Sequence, residues 1–157
     1  MKKRVLLLLA VITAATLLAA CTTKKTPITA ATFRAEAEAA GFTVQDSAYQ
    51  LDAGSVEDYL IAYKGSVNDI DFQIEFAVVP TVEQAQNAYQ ENKADFEAAK
   101  GTVSSYSSVS IGNYSYYKQD SAGRYCVISR IDNTFIYIDT ASTYKKEIND
   151  FLKKIGY

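Results

Sequence analysis

Hydrophobic and polar positions alternate most clearly between Asp71 and Val79, where Phe72, Ile74, Phe76 and Val78 interleave with Asp71, Gln73 and Glu75. Period two predicts a strand with one wet face. Tyr59–Lys64 reads as a second strand after a turn at Asp52–Ser55, and Phe42–Tyr49 as a weaker one. Farther on, Val103–Ile111 is serine-rich and predicts an edge strand. Tyr114–Gln119, Arg124–Ile131 and Phe135–Asp139 follow as three more, joined at Ser121-Ala122-Gly123 and Asp132-Asn133-Thr134 by residues that tolerate turns. Arg124–Ile131 is apolar on both faces, as a central strand would be.

Three stretches carry the helical period instead. Thr29–Ala40 is alanine-rich, places Phe33, Ala37 and Ala40 on one face, and stops at Gly41. Val82–Lys100 starts from Thr81-x-x-Gln84, the spacing of a capping box, with an inner stripe of Ala85, Ala88, Tyr89, Asn92, Phe96 and Ala99. Thr143–Ile155 lines up Tyr144, Ile148, Phe151, Leu152 and Ile155, and its late lysines suit the helix dipole. The order is α-βββ-α-ββββ-α. Hairpin-length connections imply an α+β fold with a mainly antiparallel sheet, its helices packed on one face. Ala39-Ala40-Gly41-Phe42-Thr43-Val44 echoes Ala99-Lys100-Gly101-Thr102-Val103. An internal duplication would leave that echo, and so would two glycine-capped helix ends.

The first 21 residues break the pattern. Lys2, Lys3 and Arg4 precede an apolar run from Val5 to Leu18, and Leu18-Ala19-Ala20-Cys21 closes it. A basic start, a short apolar core and small residues at the end describe a secretory signal. Leu18-Ala19-Ala20-Cys21 resembles the lipobox of bacterial lipoproteins. The resemblance implies cleavage between Ala20 and Cys21 and a diacylglyceryl group on the Cys21 sulfur, with a fatty acid such as palmitate added. It divides the chain into a signal peptide (residues 1–20), a lipidated cysteine with a polar tether (21–28) and one domain (29–157). The expected location is the extracytoplasmic face of the cell membrane, by lipid anchor. Thr22, where aspartate would retain a lipoprotein at the inner membrane, implies the outer membrane in a Gram-negative cell. With Gly112-Asn113-Tyr114, Gly123-Arg124-Tyr125 and Asp132-Asn133-Thr134, the leader also resembles small uncharacterised lipoproteins of Gram-positive bacteria. No activity comes with that likeness.

Charge narrows the function. Three of the 16 basic residues leave with the leader, so thirteen face 18 acidic ones and the net charge is −5. That argues against nucleic acid. The chain has no histidine, which removes the commonest general base and metal ligand. Its seven glycines form no phosphate loop, and no cofactor is implied. Asp69 with Asp71, and Asp132 with Asp139, read as solvated turn residues. Ser142-x-x-Lys145 has the bare spacing of a serine–lysine pair, with Lys145 on the outer side of its helix. Cys126 has no partner once Cys21 carries lipid, and reads as a buried, inert thiol.

Tyrosines are the one dense feature. Tyr114, Tyr116, Arg124 and Arg130 are the candidate partner-binding surface, since tyrosine offers a large face with a polar tip. Tyr114 and Tyr116 share a strand face while Tyr117 takes the other. The expectation is a non-enzymatic module binding an envelope protein, peptide or glycan. The alternatives are an accessory subunit of an envelope complex, or a hydrolase working without histidine.

Overall fold

The computed structural model describes residues 24–66, 69–102 and 104–157. Leu18 to Cys21, the rest of the leader and Val103 lie outside these. The described chain runs α1 (Ala30–Ala39), β1 (Thr43–Asp46), a 3-10 turn (Ala48–Gln50), β2 (Asp58–Ser66), β3 (Asp69–Val78), α2 (Val82–Ala98), β4 (Ser104–Ile111), β5 (Tyr114–Ser121), β6 (Arg124–Ile131), β7 (Thr134–Ala141), a second 3-10 turn (Ser142–Tyr144) and α3 (Lys145–Lys154). This is the expected α+β order. One antiparallel sheet holds all seven strands as β1-β2-β3-β7-β6-β5-β4. Two meanders, β1–β3 and β4–β7, meet where Glu75 pairs with Tyr137 and Val78 with Thr134.

Local chemistry sets the boundaries. Thr29 caps α1 by accepting the Thr32 amide at 3.1 Å. Thr81 and Gln84 form the reciprocal capping box at the start of α2. The ends of β2 and β3 close tightly, and a Cβ on Gly65 would stand 2.3 Å from the Asp69 carbonyl oxygen. The β5–β6 hairpin turns through Ala122 and Gly123 with φ of 53° and 79°, a geometry that favours asparagine or glycine first. An alanine held left-handed costs about 1 kcal/mol or more. Ala122→Asn is therefore expected to raise the melting temperature by about 3–5 °C, measured by calorimetry. An unchanged or lower temperature would mean the turn carries no such strain.

The expectation that the helices share one face is corrected: they lie on both. α1 and α3 cover one face. There Phe33 stacks on Phe76 at 4.6 Å between ring centroids, and Phe151 meets Phe33 and Phe42 at 5.9 and 5.2 Å. Leu60, Ile74, Val127, Ile131, Ile136 and Ile138 complete this core. α2 covers the other face, seating Tyr89 and Phe96 on Tyr117, Cys126 and Ile128. The reason is visible in β6, whose residues after Arg124 are all buried. A strand apolar on both sides needs cover on both. The arrangement also bears on duplication. β3 and β7 are antiparallel neighbours, so a two-fold between the halves would run perpendicular to the sheet and keep α1 and α2 on one face. They occupy opposite faces.

Candidate functional site

Antiparallel pairing sends alternate residues of β5 to opposite sides. Tyr114, Tyr116, Lys118 and Asp120 project half-buried onto the α1/α3 face, and Ser115, Tyr117, Gln119 and Ser121 are buried on the α2 side. On the α1/α3 face, α1 lies over β1 to β3 and α3 over the middle of the sheet. The β4–β5 margin beside α3 is left as an open groove of about 290 Å³.

Five of the side chains lining the groove are bonded to one another. Asp120 accepts from Lys145 Nζ at 2.8 Å and from Ser142 Oγ at 2.7 Å. The Lys145 bond, reinforced by Ser142, holds its carboxyl below the usual range. Asn149 Oδ1 accepts from Lys118 Nζ at 3.1 Å and from the Tyr125 hydroxyl at 2.9 Å, while its amide donates to the Lys145 carbonyl at 2.7 Å. Burial lowers the Lys118 pKa, and the nearby charge of Lys25 adds to the effect. Cations lie over rings along this wall: Lys118 Nζ is 5.4 Å from the Tyr116 centroid, and Lys145 Nζ 5.5 Å from that of Tyr125. Ser105 and Ser107 form the outer lip. A tyrosine-walled groove with fixed donors and acceptors suits recognition of an extended polar chain.

The four residues expected to share a surface do not meet. Tyr114 and Tyr116 stand together on the α1/α3 face, their rings 5.6 Å apart, but neither lines the groove. Arg124 and Arg130 project to the opposite face of the sheet. Arg130 is only 4% exposed, its Nη1 donating to the Asn113 carbonyl at 3.4 Å. The alternation of β6 puts it opposite Phe135, under α2, so it presents nothing to a partner. Arg124 is exposed and grips Asp139 with two nitrogens. Lys145 was also expected on the outer side of its helix. It turns instead to β5, and Ser142 and Lys145 converge on Asp120 rather than on each other. Asn149 was missed, although Lys145 and Asn149 are four apart on one helical face.

Cys126 lies on the α2 side in a cleft of about 400 Å³ with Phe96, Arg124, Tyr137 and Asp139. It is 6% exposed, and its Sγ approaches Asp139 Oδ1 at 3.4 Å. Burial, then the Asp139 charge, pushes its pKa up to about 12; Arg124 opposes this weakly. A reactive cysteine needs the reverse. At pH 8 the native thiol should react with iodoacetamide on the order of a thousandfold more slowly than the unfolded chain. Labelling at similar rates in both states would restore a nucleophilic role. Because the folded pKa is the higher one, the neutral thiol favours folding fully below about 9. That contribution is lost as pH rises toward 12.

The N-terminal segment joins the other end of the strands, at the Gly112-Asn113 turn. Asn113 Oδ1 accepts the Lys25 amide at 3.1 Å, and Asn113 Nδ2 donates to the Lys25 carbonyl at 2.8 Å. Lys25 Nζ donates to the Gly156 carbonyl at 2.8 Å and sits 3.7 Å from the Tyr114 centroid. Among the described residues no helix is long and apolar enough to cross a membrane. Comparison with protein-family models, with curated proteins and with solved structures returns no match, so the reading of the groove rests on its own chemistry.

Proposed function

We propose that the chain is an extracytoplasmic lipoprotein, anchored by acyl groups on Cys21, whose domain is a non-enzymatic binding module. The observation that carries the anchor is the order along the chain: a basic start, an apolar run, Leu18-Ala19-Ala20-Cys21, and then only Thr22, Thr23 and Lys24 before Lys25, which is bonded to the domain. Two acyl chains suffice for stable attachment where one is marginal. The mass of the mature N-terminal peptide tests it. A peptide beginning at Cys21 with diacylglyceryl on sulfur is expected, and an unmodified peptide beginning beyond Cys21 would overturn the anchor.

For the domain, binding is favoured by the groove between β4, β5 and α3. Lys145 and Asp120 are paired in place, Lys118 keeps an unpaired positive charge beside Asn149, and among the described residues no activated nucleophile faces the groove. Ser142 donates to a carboxylate held at low pKa, which makes Asp120 a poor base. The ligand that fits is an extended polar chain, peptide or glycan, lying across Tyr125 with Lys118 and Asn149 at its edge. The short tether also favours a second reading, an accessory subunit of an envelope complex. Crosslinking in cells from the groove separates the two: capture of a fixed membrane partner supports the subunit, and capture of cell-wall material supports the binding module.

A further inference from the structure

Among the described residues six large hydrophobic side chains are exposed: Tyr49, Leu51, Ile70, Val82, Tyr106 and Ile111. Pairing register sorts them. Ile111 closes β4 opposite Tyr114, beside the Gly112-Asn113 turn. Val82 opens α2 just after β3, where the Val79 amide donates to the Asn133 carbonyl at 3.0 Å and Asn133 Nδ2 returns a bond to Val79 at 2.9 Å. Asn113 is in turn bonded to Asp132, which ties the two turns together. Tyr49 and Leu51 sit in the connection from β1 to β2, whose far end is fixed where the Glu57 amide donates to the Val78 carbonyl at 2.7 Å. Val78 pairs with Thr134. These four residues therefore share the end of the strands that holds the Asn113 and Asn133 turns. They are well exposed, at 75% for Tyr49, 41% for Leu51, 42% for Val82 and 59% for Ile111. Ile70 lies at the opposite end, in the first residues of β3, and Tyr106 lies within β4.

The N-terminal segment reaches the domain at this same end. Lys25 is fixed to Asn113, Gly156 and Tyr114. Four Cα steps separate it from Cys21, a span of at most about 14 Å. A lipid on Cys21 therefore draws this end, and no other, to the bilayer. We propose that the end carrying Tyr49, Leu51, Val82 and Ile111 is a membrane-contact face, with those side chains seated in the headgroup layer around the anchor. The inference rests on the lipid-anchor reading above.

The contact is apolar in kind. Asp52, Glu57, Asp58 and Glu83 lie at this end too, and carboxylates would be repelled by anionic headgroups. Tyrosine, leucine, valine and isoleucine gain from the interface whatever the headgroup charge.

The chain has no tryptophan, which makes a depth measurement direct. Full-length L51W, I111W and, as reference, I70W proteins are purified from bacterial membranes. They are reconstituted in phosphatidylcholine vesicles with dibrominated acyl chains. Fluorescence of L51W and I111W is expected to fall about twofold or more, because an interfacial side chain lies about 5–10 Å into the headgroup–acyl boundary. I70W should be unaffected. Absence of quenching in both L51W and I111W, with the protein floating with the vesicles, overturns the contact face alone. Equal quenching in I70W also overturns it, since the domain would then have no fixed orientation. A protein that does not float and carries no lipid on Cys21 overturns the anchor, and the contact face with it.

Discussion

Phe151→Ala is expected to remove a large share of the domain's stability, about 3–5 kcal/mol for a buried phenylalanine truncated without repacking. Phe151 is where α3 meets both α1 and the chain entering β1. Its ring touches Phe33 of α1 and Phe42 at the start of β1, and its neighbours Ile148 and Leu152 are fully buried on the same core. Truncation opens a void between two helices and the sheet, and none of the surrounding aromatic rings can fill it without leaving its own partner. A domain of this size has roughly 5–15 kcal/mol in total. The melting temperature should therefore fall by roughly 10–20 °C. An unchanged transition, by calorimetry or circular dichroism, would show that α3 is not docked. Phe151→Leu should recover most of the loss, because it restores volume.

Cys21→Ala has the other large expected effect, on location rather than stability. If Cys21 carries the lipid, no other feature of the described residues holds the chain in a bilayer, and apolar contacts such as Leu51 and Ile111 are too few to do so alone. Each buried methylene is worth about 0.8 kcal/mol, so losing two acyl chains removes nearly all of the attachment. The variant should appear as uncut precursor or in the soluble fraction, while the melting temperature of its domain stays that of the parent. Retention in the membrane as a processed chain of unchanged N-terminus would sink the lipobox reading.

Much of this fold is written in short-range pattern. The capping box at Thr81 and Gln84, the glycine stop at Gly41 and the alternation through Phe72, Ile74 and Phe76 are local, and each element lies within a few residues of its expected place. The serine-rich strand was expected at an edge, and β4 is one. What a periodic pattern does not carry is which helix goes to which face. That depends on β3 pairing with β7 some 56 to 62 residues farther along the chain, although the two-sided apolar run of β6 held the hint. The expected partner-binding surface was half legible. Strand alternation put Tyr114 with Tyr116 and excluded Tyr117, but sequence nearness grouped them with Arg124 and Arg130, which the sheet separates. Asn149, Lys145 and Asp120 converge from α3 and β5, and only tertiary structure brings them together.

The seam between the two meanders has a consequence for how the chain is made. β7 is the middle strand of the sheet and among the last segments of the chain, followed only by a short turn and α3. Each hairpin of β4 to β7 closes a loop of a few residues, whereas joining β3 to β7 closes one of about sixty, with the larger entropy cost that follows. A chain delivered N-terminus first therefore holds β1, β2 and β3 with one edge bare and the Phe33–Phe76 stack unroofed until residues 134–154 have emerged. Folding of this topology completes from the C-terminal end, and removing the last helix leaves the earlier half without a core to join.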